Sequence, residues 1–258
     1  MASQSPAVRA QRVVPISGIR KKSGAMTPLQ AFVNRYFYFA MSLLIGAIVV
    51  SGFSRTINDN LLHASIPRPL ILWFHAAAFS GWVAFFFFQS ALVRTRNVKW
   101  HRFFGWFGAA LGTVMVPLGI TTSIIMGRFD TSQEHLPGAD AFLIVPFYDM
   151  VAFAAFFALA VWWRKKPELH RRLLFIATCG LLDAAFGRFD YIYNHGLFFW
   201  CLDGVILLGV VRDLYVNRHI HKVYLYALPP LVAVQAIVTY TWMNSSAWWV
   251  RIAHSILG

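Results

Sequence analysis

Apolar residues fall into long blocks along the chain, and the breaks between the blocks are short, polar and rich in arginine and lysine. A helix that spans a bilayer needs about 20 mostly apolar residues. Windows that meet or approach this length run from Tyr36 to Phe53, Leu70 to Val93, Phe103 to Met126, Ala141 to Trp163, Leu173 to Phe189, Leu197 to Val211 and Val223 to Met243. The pattern predicts an all-α polytopic membrane protein of seven transmembrane helices. The fifth and sixth spans are short, and between them LLDAAFGRFDYIYNH carries two aspartates, an arginine and a histidine. The expected organisation is a basic tail over residues 1–34, one seven-helix membrane domain over 35–243, and an interfacial tail over 244–258. The long polar stretch before the first span reads as the flank of an uncleaved signal anchor.

Composition agrees with a lipid environment. The chain is 58% hydrophobic and 13% charged, where a soluble domain carries about 25% charged residues. A net charge of +13 in a soluble protein would point to nucleic acid, but the position of the charges points to topology instead. Lysine and arginine accumulate on the cytoplasmic side of membrane proteins. Alternating the loops puts Arg9, Arg12, Arg20, Lys21, Lys22 and Arg35 on one side, with the basic loops after the second, fourth and sixth spans. Of the 23 basic residues, only Arg55, Arg68, Arg128, Arg188 and Arg251 fall on the other. This places the N-terminus in the cytoplasm and the C-terminus outside, in a cell (inner) membrane, with the bilayer rather than nucleic acid as partner. Both cysteines, Cys179 and Cys201, lie inside apolar spans and act as small hydrophobes. Trp248, Trp249, Arg251 and His254 suit a short helix lying in the outer interface.

Charged residues inside the spans carry the candidate chemistry. A charge at the bilayer centre costs about 2.5–3.5 kcal/mol, so Asp149, Asp183, Asp203 and Arg188 should face the bundle interior, all in its outer half. On a continuous fifth helix, Cys179, Asp183 and Asp190 share one stripe, and Arg188 points elsewhere, with Asp149 or Asp203 as its expected partner on another helix. Such a cluster reads either as a ligand or proton site or as hydrogen-bonded glue between helices. The histidines form two pairs by depth: His75 with His195 near the outside, and His101 with His170 near the inside. Two imidazoles at equal depth on facing helices are what an intramembrane haem b requires. A weak internal repeat relates Trp100-His101-Arg102 to Leu169-His170-Arg171, 69 positions apart, as though a helical hairpin were duplicated. No P-loop, zinc-protease or nucleophile-elbow pattern occurs, and the seventh span has no lysine for a Schiff base.

The stretches FHAAAFSGW, WHRFFGWFGAALG and LHRRLLFIATCGLLDAAFGRF resemble the bacterial predicted-membrane-protein family known as domain of unknown function 2306. The resemblance rests on His75, His101, Arg102, Gly105, His170, Arg172 and Arg188, covers about a quarter of the chain, and implies a bacterial cell-membrane protein. A looser likeness to two-haem cytochromes of the b-561 type implies haem on four consecutive helices, although the fourth span here has no histidine. Three functions fit: a redox protein in which His75 and His195 ligate haem and the acids pass protons to haem or quinone; a proton-coupled transporter or small-ligand sensor; or a noncatalytic subunit of a membrane complex.

Overall fold

A computed structural model describes residues 26–258, so most of the basic N-terminal tail lies outside the described residues. The described chain is helical throughout, without strands. Helix α1 spans Pro28–Phe53, α2 Ile71–Arg94, α3 Val98–Ser132, α4 Ala139–Phe142, α5 Ile144–Trp162, α6 Pro167–Cys179, α7 Asp183–Phe186, α8 Asp190–Asn194, α9 Phe198–Asn217, α10 Lys222–Met243 and α11 Ala247–Leu257. Five elements are long and apolar enough to cross a membrane: α1, α2, α3, the α4–α5 unit and α10. α1 starts earlier than its apolar block because Thr27 and Gln30 form a reciprocal capping box with Pro28 in the first turn, which satisfies orphan donors at a helix start.

The fifth apolar block is not one helix. α6 is 13 residues long, about 20 Å at 1.5 Å per residue. It closes on Gly180, and the chain restarts as the single turn α7. This overturns the continuous stripe expected for Cys179, Asp183 and Asp190, because the helical phase is lost at the break. What α6 lacks in length it makes up in burial. Phe175, Ile176, Ala177, Thr178 and Cys179 are buried in succession, and a helix covered on every side belongs at the centre of a bundle. α9 lies beside it, contributing Phe199, Leu202 and Ile206 to the same core. α2 with α3 and α5 with α6 form two antiparallel hairpins, and large apolar side chains such as Trp106, Val151 and Tyr226 point away from the interior.

Close packing marks this end of the bundle. At Gly52 of α1 an added Cβ would lie 2.3 Å from the Ala185 carbonyl oxygen, so only glycine lets the α7 backbone approach that closely. At the same end of the bundle the amphipathic α11 packs Trp249, Ala253 and Leu257 against Leu143 and Phe147. Trp249 Nε1 donates to the Ala141 carbonyl at 3.1 Å, and His254 meets Asp140 at 2.8 Å.

Candidate functional site

The bundle has a basic end, where α2 turns into α3, α5 into α6 and α9 into α10, and a far end where the chain breaks around α7. The acids of the sequence reading converge toward the far end. Asp149 on α5, Asp183 at the start of α7 and Asp203 on α9 are 6%, 7% and 7% exposed. The buried carboxyls of Asp149 and Asp183 are close enough for their charges to interact. Two neighbouring carboxylates inside an apolar core repel each other strongly when both are ionised, which favours a proton held on the pair. Asp203 accepts from Gln235 Nε2 of α10 at 3.3 Å. Tyr148 stands among all three acids, and its hydroxyl donates to the Leu231 carbonyl at 3.4 Å.

The break in α6 opens space beside this cluster. A cavity of about 10 Å³, lined in part by Tyr148, Gly180, Phe199, Leu231 and Gln235, has room for one water. Gln235, which lines it, has an Oε1 that is buried without a hydrogen-bond partner. That oxygen offers such a water a polar contact, and Asp149 Oδ1, on the residue next to Tyr148, is likewise unpartnered.

Arg188 does not take the role expected of it. Its guanidinium lies 4.8 Å from the centre of the Phe53 ring, and no ion pair joins it to Asp149 or Asp203 among the described residues. Its acidic neighbour is Asp183, which it influences without touching, and His75 is close enough to feel the same charge. Its nearest acid is therefore on its own broken segment, because α7 stops after Phe186 and the helical phase between Asp183 and Arg188 is lost.

The histidines part company. His75 stacks on Phe79, ring centres 4.0 Å apart, and its Nδ1 is buried without a partner. His195 is exposed, with Nδ1 on the Tyr191 carbonyl at 2.8 Å. No hydrogen bond or ring contact joins His75 to His195 among the described residues. His101 of α3 and His170 of α6, by contrast, face each other with ring centres 6.4 Å apart.

The sequence reading overlooked a third cluster, at the basic end. Arg172 and Asp213 side chains are both 0% exposed. Arg172 donates through Nε to Asp213 Oδ2 at 2.8 Å and through Nη2 to Oδ1 at 2.6 Å, while its Nη1 serves the Glu168 carboxylate at 2.6 Å and carbonyl at 2.8 Å. Arg212 donates to Asp213 at 2.6 Å and to Asn34 of α1. Gln30 adds a bond to the Tyr215 carbonyl at 2.9 Å. A bidentate arginine–carboxylate pair fixes both distance and orientation, so α1, α6 and α9 are locked together. Burial works against ionising Glu168, but Arg172's hydrogen bond and the charges of Arg171, Arg172 and Arg212 hold its carboxyl below the usual range. The signal available in the sequence was scarcity: Glu168 and Asp213 are the only acids assigned to the side that carries most of the basic residues.

No family model, no curated protein and no solved structure matches the chain. The site stands on its own geometry: an all-helical chain with five helices long and apolar enough to cross a membrane, and two buried acids beside a broken helix.

Proposed function

We propose that this chain is a proton-coupled transporter of the cell membrane, with Asp149 and Asp183 as its proton-carrying pair. In this reading the two remaining units, the broken α6 to α8 and the charged α9, complete seven passes alongside the five apolar helices, with the N-terminus cytoplasmic and the C-terminus outside. The same reading puts the basic end inside and the acid pair in the outer half. Membership of the domain of unknown function 2306 family is part of the proposal. The observation that carries it is the juxtaposition of two buried acids, Asp149 and Asp183, at the point where α6 stops. Unwound backbone at membrane depth survives only where protein buries it or a cavity lines it, and transporters place substrate and coupling-ion sites at such breaks.

Each group has a role. The pair holds one proton in the resting state, Tyr148 and the water-sized cavity connect it to Asp203, and Arg188 supplies the charge toward which Asp183 turns when it ionises. Arg188 works through Asp183, so it is a positioning residue. A redox role for the outer histidines has less behind it, because His75 and His195 do not meet.

Infrared difference spectroscopy of the purified protein against pH gives a direct test. A carbonyl-stretch band of a protonated carboxylic acid should titrate, shift in D2O, and disappear in both Asp149→Asn and Asp183→Asn, while proton flux into proteoliposomes under an imposed potential falls at least ~10-fold. Asp140→Asn is the control and should change neither. Retention of the band and the flux in both variants overturns the proposal.

A further inference from the structure

The pair His101–His170 belongs to a different place in the fold from the acid pair, and no step assigned above uses it. Both histidines stand in the first turns of their helices at the basic end, where the hairpins α2–α3 and α5–α6 meet. Each ring has the backbone of the preceding helix beside it. His170 donates through Nδ1 to the Ala160 carbonyl of α5 at 2.8 Å. The Gln89 backbone of α2 lies near His101, but His101 Nδ1 makes no hydrogen bond. The histidines are 69 positions apart and their backbone neighbours 71, so two copies of one arrangement face each other across the meeting line of the hairpins. The duplicated motif in the sequence thus has a spatial counterpart.

A backbone carbonyl that fixes one nitrogen of an imidazole leaves the other bare and aimed, which is the usual support of a metal-ligating histidine. His170 is left with Nε2. His101 has a buried Nδ1 with no partner, and Gln89, 7% exposed, has both amide atoms without one. The ring separation of 6.4 Å leaves room for one metal atom, since each bond to an imidazole nitrogen takes about 2.0–2.1 Å. A direct hydrogen bond between the rings is absent.

We infer that His101 and His170 are the two protein ligands of a single transition-metal centre at the basic end of the bundle. No third histidine, cysteine or carboxylate joins them among the described residues. Two neutral nitrogens without an acid reject hard cations such as calcium and magnesium, which want oxygen. They suit either haem iron, whose macrocycle fills the remaining positions, or a bare low-coordinate ion such as copper. Arg102 and Arg171 follow the two histidines directly, a setting that favours an anionic macrocycle over a bare cation.

Metal content and a visible spectrum, taken on protein from cells supplied with haem precursor, copper and zinc, decide the matter. About one metal per chain is expected. Low-spin haem bands after dithionite identify the haem form, and stoichiometric metal without them identifies the bare ion. Either should fall at least ~10-fold in His101→Ala and in His170→Ala, and stay unchanged in His195→Ala and Asp183→Asn, which separates this site from the acid pair. X-ray absorption on the unsubstituted protein counts imidazole ligands even if a variant misfolds, and two are expected. A folded protein without stoichiometric metal, a metal retained in both variants, or fewer than two imidazoles overturns the inference.

Discussion

Arg172 shows how much one side chain can be asked to hold. Its guanidinium commits its donors to Asp213 and Glu168, and neither Arg172 nor Asp213 has access to water. Removing one partner of such a pair strands the other charge in the core, which typically costs about 3–5 kcal/mol. Asp213→Ala should therefore lower the thermal unfolding midpoint in detergent sharply, while the double variant Arg172→Met/Asp213→Leu recovers part of the loss. A flat response to Asp213→Ala would remove the network as a structural clamp. His221 gives a pH-dependent counterpart. Its Nδ1 accepts from the Val223 N–H and caps α10, a bond that only the neutral ring can accept. Burial, followed by the charge of Arg172, holds its pKa below the ordinary value. The unfolded chain therefore takes up the proton first as pH falls. Stability from this group is complete above about pH 6.5 and declines below it. His221→Ser keeps a capping acceptor that does not titrate, so the fall in unfolding midpoint between pH 7 and 5 should be shallower in that variant.

At the scale of elements, the break between α6 and α7 decides what the protein can do, and Gly52 decides whether the break fits. An added methyl at Gly52 meets the Ala185 backbone, which cannot move aside as a flexible side chain would. Gly52→Ala should destabilise by about 1–3 kcal/mol and weaken the titrating carboxyl band, because Asp183 rides on α7. Gly46→Ala lies on the same helix in open space and should leave both unchanged. These elements also mark where sequence reading stops. The long helices are legible because lipid imposes an unbroken apolar run, and α1, α2, α3, α5 and α10 follow their apolar blocks to within a few residues, save where a capping box extends α1 and where α3 runs past its block at both ends. The break is not legible, since Gly180, Leu181 and Leu182 are as apolar as the helix they interrupt. The acids were legible one by one as misplaced charges. The approach of Asp183 to Asp149 depended on that invisible turn, and the placement of Arg188 near Asp183 on the equally invisible end of α7 at Phe186. Asp213 escaped notice because the sequence pattern assigns it to a loop, while the fold carries α9 on past it and buries it against α6.

For the whole molecule, the proposed arrangement places a rigid, ionically locked basic end in the cytoplasm and a broken, water-accessible end outside. Thiol reagents should reach Ser3→Cys and Ser255→Cys from opposite faces of the membrane, and labelling of both from one face would remove the odd number of passes. The lock has a consequence for how the chain enters the membrane at all. α6 and α9 are absent from the five segments apolar enough to cross alone, and each carries one half of the Arg172–Asp213 pair. In the proposed seven-pass arrangement the pair sits at the cytoplasmic boundary, where each half is without a partner until the other arrives. The five apolar helices then insert as they emerge from the ribosome, while the short α6 settles only when α9, which is made later, supplies Asp213. Synthesis thus proceeds in chain order while assembly does not. A chain cut after Gly196 should leave the loop before α6 and the segment after it on the same side of the membrane in a glycosylation-mapping assay, and restoring α9 should return them to opposite sides.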